Sequence, residues 1–158
     1  MAEYEDLRQR HVADLTTLMP EHVQRLRWPE MVAGDIPGTV EVLAELRAAG
    51  VPLYALTNWS AETFAITRGR FEFLECFDGL LVSGEERVTK PDPAIFQLLL
   101  DRFGLDPTAT VFVDDSEANV AAARRLGFDA IRFTGHEELR RELVARRLLP
   151  RSAPTGGP

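Results

Sequence analysis

The stretch TVFVDDSEANVAAA, Thr110–Ala123, decides how the rest of the chain is interpreted. Its apolar residues 111–113 are typical of a short buried strand, and they lead directly into Asp114 and Asp115. Ligands of open α/β sheets bind at this end of the strands, and two adjacent carboxylates repel unless a cation or a shared proton lies between them. Because oxygen ligands favour Mg²⁺ over Zn²⁺, the pair predicts a magnesium site. The alternative is that one acid caps the following helix and the other is solvated.

The composition limits the possible partners and the compartment. The 158 residues fit one domain, and a domain of this size buries roughly 70% of its unfolded-chain surface. A net charge of -7 argues against nucleic acid or an anionic membrane as the main partner, since both require a basic face. The single cysteine, Cys76, cannot form an internal disulfide, and no apolar run approaches the ~20 residues of a membrane span. We therefore expect a soluble, cytoplasmic protein.

The order of patterns along the chain predicts an α/β fold. Residues 1–33 are mostly polar with helical spacing, residues 34–149 alternate strand and helix patterns, and residues 150–158 have the composition of a disordered tail. Strands alternating with helices indicate a parallel sheet with helices on both faces. The expected strands are Val51–Leu56, Gly79–Val82, 111–113 and Ala130–Phe133, and the expected helices include Ala94–Phe103 and Glu137–Leu149.

Three groups with complementary chemistry follow three of these elements. Thr57 comes after the first expected strand, Lys90 lies in a loop after the second, and the acidic pair follows the third. Right-handed crossovers place the carboxyl ends of parallel strands on one rim, so these groups can converge there. Lys90 is the only lysine in the chain. A hydroxyl, an ammonium and two metal-binding carboxylates suit a phosphate site, although such a site still lacks an attacking group.

These residues resemble the motifs of a known superfamily. LTN at 56–58, KPDP at 90–93 and VFVDDSEANV at 111–120 look like the second, third and fourth motifs of the haloacid dehalogenase (HAD) superfamily of hydrolases. The text GDIPGTVEVLAELRAAGVPLYALTNWS is similar to the subgroup of small sugar-phosphate phosphatases and the amino-terminal phosphatase domain of epoxide hydrolases. The resemblance covers residues 34–149. It implies a three-layer, Rossmann-like core with a helical cap.

The resemblance also implies roles for individual residues. Thr57 would hydrogen-bond the transferring phosphoryl group, Asn58 would contribute contacts beside it, and Lys90 would balance the charge of nucleophile and phosphate. Asp115 would bind Mg²⁺ directly, and Asp114 directly or through water. The implied activity is Mg²⁺-dependent hydrolysis of a small phosphorylated metabolite through an aspartyl-phosphate.

One family motif has no counterpart in the chain. Members begin with an apolar strand ending in Asp-x-Asp, whose first Asp attacks phosphorus and whose second acts as general acid and base. Asp6, Asp14 and Asp35 do not follow a run of β-formers. We therefore interpret residues 1–33 as the remnant of a helical cap and expect the central strand, between the Thr57 and Asp114 strands, to be missing. Its place is closed, open or filled by another chain.

This gap has two expected consequences. The chain alone should be inactive or nearly so, because removing the nucleophile from a covalent mechanism costs orders of magnitude in rate. The incomplete sheet should also favour self-association.

Three other functions compete with the phosphatase. A non-catalytic domain would keep the phosphate and Mg²⁺ pocket for binding, completed by a partner strand. A 2-haloacid dehalogenase is disfavoured because, in the family, dehalogenases carry Ser and Asn where this chain has Asp114 and Asp115. A phosphorelay receiver is disfavoured because its acidic pair comes first and its Lys last.

Overall fold

The computed structural model describes residues 38–70 and 72–151. The expected cap remnant at 1–33 and residues 152–158 of the expected tail lie outside the described residues. The strands are β1 (Tyr54–Thr57), β2 (Gly79–Val82), β3 (Val111–Asp114) and β4 (Asp129–Arg132). The α-helices are α1 (Thr39–Ala48), α2 (Ala61–Thr67), α3 (Ser83–Glu86), α4 (Pro93–Phe103), α5 (Glu117–Arg125) and α6 (His136–Ala145). Short 3₁₀ segments cover Arg68–Arg70, Glu72–Cys76 and Pro107–Ala109.

The strands form two parallel pairs, which confirms the predicted α/β class. β1 pairs with β2, with Thr57 opposite Val82, and β3 pairs with β4, with Asp114 opposite Arg132. Each pair is joined through helical connections, as parallel strands require. No helix in the described ranges is long and apolar enough to cross a membrane.

Two buried clusters pack helices against the strand pairs. One buried cluster packs α4 and α5 against both pairs, through Leu81 of β2 and through Phe112 and Ala130 of β3 and β4. A second cluster packs α1 and α6 on the opposite face, around Ile131. The first cluster joins the two pairs through one helical layer, and the second covers β3 and β4 and includes Leu53, directly before β1, so helices lie on two sides of the strands as in a three-layer arrangement.

The two halves are not joined by a strand ladder in the described part of the chain. β1 and β3 are the inner strands, yet they belong to separate two-stranded sheets. The Lys90 side chain crosses between them, with Nζ 2.9 Å from the Leu56 carbonyl oxygen of β1 and 2.6 Å from Asp114 of β3. No described strand pairs with the facing edges of β1 and β3, where the sequence predicted a missing central strand, and we call the region between these two edges the slot.

The element boundaries differ from the predicted ones for local reasons. β1 begins at Tyr54 rather than Val51, because the Val51 amide bonds the Leu46 carbonyl at the end of α1 and the Leu53 amide bonds the Asp78 carboxylate. The last helix ends at Ala145, because the backbone turns at Arg147, where φ is 60°. The predicted strand therefore starts before β1, and the predicted helix continues past the end of α6.

Gly84 allows a close approach that positions the loop after β1. A Cβ at this position would lie 2.3 Å from the Ala61 amide nitrogen and 2.6 Å from the Ser60 Cα. The Gly84 amide also donates to the Trp59 carbonyl at 3.0 Å, and the buried Ser83 hydroxyl donates to the same oxygen at 3.3 Å. The start of α3 is thus held against the segment that follows Thr57.

We expect Gly84→Ala to lower the free energy of unfolding by about 2–3 kcal/mol, since backbone atoms must move to admit the methyl group. Urea denaturation measures the change. Gly69→Ala is the matched control, because a Cβ at Gly69 meets nothing within 4 Å. Equal stability of the two variants would contradict the close approach.

Candidate functional site

The centre of the site is an ion pair between Lys90 and Asp114 at the carboxyl end of β3. Lys90 Nζ lies 2.6 Å from Asp114 Oδ2, and the two side chains are only 10% and 6% exposed. The same ammonium donates to the Leu56 carbonyl at 2.9 Å and lies 5.9 Å from the centre of the Phe112 ring. An ammonium has three N–H donors, so one remains after these two bonds.

Asp114 is held by three protein donors. Its Oδ1 accepts from the Ser116 amide at 2.9 Å and from Asn119 Nδ2 at 3.0 Å, while Oδ2 accepts from Lys90. Burial by itself raises the pKa of this carboxyl, but the charge and hydrogen bond of Lys90, with the Ser116 and Asn119 donors, outweigh it and lower the pKa below its usual value. Asp114 is therefore a fixed anion whose Oδ2 retains one acceptor position.

Asn58 fixes the main chain of Lys90. Its Nδ2 donates to the Lys90 carbonyl at 3.1 Å, and its Oδ1 accepts from the Lys90 amide at 2.9 Å. Both polar atoms of the side chain therefore bond the backbone that carries the ammonium. These contacts join the end of β1 to the Lys90 loop, and the expected contribution of Asn58 beside a phosphoryl group stays a prediction.

The Lys90 loop leads into α4 through a capped helix start. Asp92 is the N-cap residue and accepts from the Ala94 amide at 2.9 Å, and Pro93 occupies the first helical position. A proline there loses no hydrogen bond, since the first amides of a helix have no partner within it. The KPDP sequence thus ends one loop and begins one helix at a defined point.

Thr57 and Asp115 flank the ion pair. Thr57 ends β1, between Leu56 and Asn58, which both bond Lys90, and its hydroxyl makes no hydrogen bond to any described residue. Asp115 follows Asp114 directly and is exposed, and its carboxylate forms no ion pair within the described ranges. The structure therefore brings Asn58, Lys90 and Asp114 into contact, with Thr57 and Asp115 next to them in the chain.

Three further residues near the site were assigned no role from the sequence. Ser116 caps α5 and also donates its amide to Asp114, and the buried Asn119 lies on the same helix, one turn further on. Arg132 ends β4 and donates from Nε to the Asp115 carbonyl at 3.4 Å. The helical spacing of Ser116 and Asn119 after the acidic pair was a usable signal, whereas the position of Arg132 depends on the strand register.

The protein groups present supply part of a metal site. Within residues 38–70 and 72–151, no three acidic, histidine or cysteine side chains cluster as they would in a site built entirely from protein. The rim instead offers the exposed Asp115 carboxylate and one acceptor position on Asp114. Mg²⁺ is commonly bound by one or two carboxylates together with substrate phosphate and water, so this donor set fits it.

Comparison with known proteins decides the family. The profile described as haloacid dehalogenase-like hydrolase matches residues 2–127. The chain belongs to the haloacid dehalogenase-like hydrolases. This confirms the superfamily that the motifs at 56–58, 90–93 and 111–120 suggested, while the roles expected of single residues stay predictions.

Relatives of the chain within the HAD-like hydrolases include both phosphatases and dehalogenases. A phosphorylated carbohydrates phosphatase of Thermotoga maritima is 30% identical over 70% of the chain and 51% of its own length. The (S)-2-haloacid dehalogenase 4A of Burkholderia cepacia is 28% identical over 61% of the chain and 42% of its own length. The chain thus spans about half the length of these curated relatives.

A solved structure of the same family is similar in fold. It is a HAD family enzyme of Bacteroides thetaiotaomicron in complex with magnesium and inorganic phosphate. It matches with a TM-score of 0.63 and 25% identity, over 83% of this chain and 68% of that one. Magnesium is therefore bound by at least one structural neighbour within the family.

Proposed function

We propose that this HAD-like hydrolase domain serves Mg²⁺-dependent hydrolysis of a small phosphomonoester. The observation that carries the proposal is the buried Lys90–Asp114 pair with the exposed Asp115 carboxylate beside it. Lys90 has one remaining N–H donor for a phosphoryl oxygen, and the unbonded Thr57 hydroxyl lies on the neighbouring strand end. A phosphatase relative and the magnesium and phosphate complex of a structural neighbour support the same chemistry.

Asp115 and Asp114 would hold the metal in unequal ways. Asp115 is exposed and free of ion pairs to described residues, so it is the direct ligand in this proposal. Asp114 has one acceptor position left on Oδ2 and contributes directly or through water. When bound, Mg²⁺ neutralises phosphate charge and fixes the orientation of the substrate. The dehalogenase relatives suggest dehalogenation as an alternative, but the acidic pair of Asp114 and Asp115 favours phosphatase chemistry.

The attacking group has to come from outside the described residues. The slot between β1 and β3 opens at the same rim as Lys90, so a strand occupying it would end beside the ammonium. We propose that the nucleophilic carboxylate is carried at the end of such a strand. Without it, the domain binds magnesium and phosphate and does not turn over substrate.

A binding-only function completed by a partner strand is the second candidate, supported by the same slot.

Asp115→Asn tests the metal ligand. We expect the variant to bind Mg²⁺ at least tenfold more weakly than the parent in the presence of orthophosphate, because it loses the exposed carboxylate. Isothermal titration calorimetry measures both affinities. The control is Asp101→Asn, which removes an exposed carboxylate on α4 whose one bond to a described residue is from Gln97. Unchanged Mg²⁺ affinity in Asp115→Asn would contradict the proposed site.

A further inference from the structure

We propose that Arg132 selects phosphoesters that carry a second anionic group, a carboxylate or another phosphate. The inference rests on the proposed function, since it concerns the substrate of the same site. It starts from the register of the second strand pair, which places Arg132 directly opposite Asp114. Neighbouring strands lie about 4.8 Å apart, so the Arg132 main chain is one strand spacing from the central ion pair.

The Arg132 side chain reaches along the rim toward the exposed acid. Its Nε donates to the Asp115 main-chain carbonyl at 3.4 Å, a long hydrogen bond. No ion pair joins Arg132 to the Asp115 carboxylate in the described ranges. The Asp115 carboxylate is therefore available to a cation, and the Arg132 guanidinium is available to an anion. This is the arrangement that a substrate bound through Mg²⁺ and bearing a further negative group would require.

Within residues 38–70 and 72–151, most of the hydrogen-bonding capacity of Arg132 is unused. Its side chain is 54% exposed, and its Nη1 lies 3.6 Å from Glu117 Oε2, beyond a normal hydrogen bond. Glu117 is shared with Arg124, whose Nη1 lies 3.8 Å from Oε1. One carboxylate thus faces two guanidinium groups at distances beyond hydrogen bonding, so Glu117 does not fix the Arg132 side chain in place. A guanidinium has five N–H donors, and among the described residues only the Nε donor of Arg132 makes a hydrogen bond.

Two other arginines of the described chain are bound quite differently. Arg146 holds both oxygens of Asp129 at 2.7 and 2.9 Å, and Arg140 forms bonds of 2.8 to 3.2 Å with Glu45. Both join separate elements through close paired bonds. Arg132 makes no such paired bond with a described residue, although it lies at the rim with the candidate site. The planar guanidinium of Arg132, with its parallel N–H donors, suits bidentate contact with a carboxylate or phosphate supplied by a ligand.

A matched pair of probes tests this selectivity. 3-Phosphoglycerate and glycerol 3-phosphate carry the same phosphate, and a carboxylate in the first replaces a hydroxymethyl group in the second. With Mg²⁺ present, calorimetry should show the parent chain binding 3-phosphoglycerate about tenfold more tightly. Arg132→Gln should lose this preference while keeping its affinity for glycerol 3-phosphate. Arg132→Lys should keep part of the preference, since lysine retains the positive charge but lacks the planar pair of donors that binds a carboxylate bidentately.

Arg124→Gln is the control, because it changes the neighbouring cation that also faces Glu117, and it should keep the preference. Circular dichroism checks that each variant is folded. Equal binding of the two probes by the parent, or an undiminished preference in Arg132→Gln, would overturn the inference while leaving the phosphate site in place. Failure of the parent to bind orthophosphate or either probe with Mg²⁺ would overturn the proposed function and the inference together.

Discussion

Replacing Lys90 with methionine is expected to lower the free energy of unfolding by about 3–5 kcal/mol at neutral pH. The substitution leaves Asp114 ionised, 6% exposed and without its cation, and removing one member of a buried ion pair typically costs this much. The Leu56 carbonyl also loses its donor at the edge of β1. Urea denaturation measures the loss, with Arg141→Met as control, because the exposed pair of Arg141 with Glu138 should contribute less than about 1 kcal/mol.

A double variant and a pH series identify the cause. Lys90→Met with Asp114→Asn should recover part of the lost stability, because the second change removes the unpaired charge.

In the parent, the lowered pKa of Asp114 means that its ionised form stabilises the fold above the ordinary carboxyl pKa of about 3.9, and this stabilisation is lost as pH falls through the lower folded value. In Lys90→Met, Asp114 loses the lowering of its pKa by Lys90 while burial still raises it, so the stability difference between parent and variant should shrink as the pH falls. A stability difference between parent and Lys90→Met that does not change with pH would contradict the ion-pair explanation.

Filling the slot between β1 and β3 is expected to change both activity and stability. A chain extended at its amino end by a flexible linker and an apolar strand ending in Asp-x-Asp should hydrolyse p-nitrophenyl phosphate at least 10³-fold faster than the chain itself. The added carboxylate supplies the missing nucleophile beside Lys90. The strand should also add several kcal/mol to stability through apolar burial and ladder hydrogen bonds to two inner strands.

The matched control is the same extension ending in Asn-x-Asn. It should give the same gain in stability and no hydrolysis, because it fills the slot without a nucleophile. Phosphate release and urea denaturation provide the two measurements. A folded Asp-x-Asp extension that gains stability but no activity would favour the binding-only function. An extension that gains neither would show that the slot does not accept a strand.

Much of the fold followed from local patterns in the sequence. The apolar runs at 79–82 and 111–113 coincide with β2 and with all of β3 except its last residue, Asp114, because short β-branched and aliphatic runs between loop signals have few alternatives. α4 spans Pro93–Phe103, one residue more than predicted, because a proline can occupy the first turn. Elements whose ends are set by local backbone bonds and turns were misplaced, as at Val51 and Ala145.

The candidate site followed from the sequence only in part. The types and order of Thr57, Lys90 and the acidic pair indicated a phosphate site, because parallel strands bring their carboxyl ends to one rim. The paired bonds of Asn58 to the Lys90 main chain could not be predicted, since they depend on how two loops meet. Asn119 and Arg132 were missed for a similar reason, because a side chain's partner across a helix or strand register is fixed only by packing.

The central claim is that Thr57, Lys90 and Asp115 serve one magnesium and phosphate site at the rim of a split parallel sheet. A crystal structure of the chain grown with Mg²⁺ and orthophosphate tests it most directly. The account predicts magnesium bound to Asp115 and a phosphate within hydrogen-bonding distance of both Lys90 Nζ and the Thr57 hydroxyl. Phosphate and metal bound elsewhere, with these three side chains on different sides of the molecule, would contradict it.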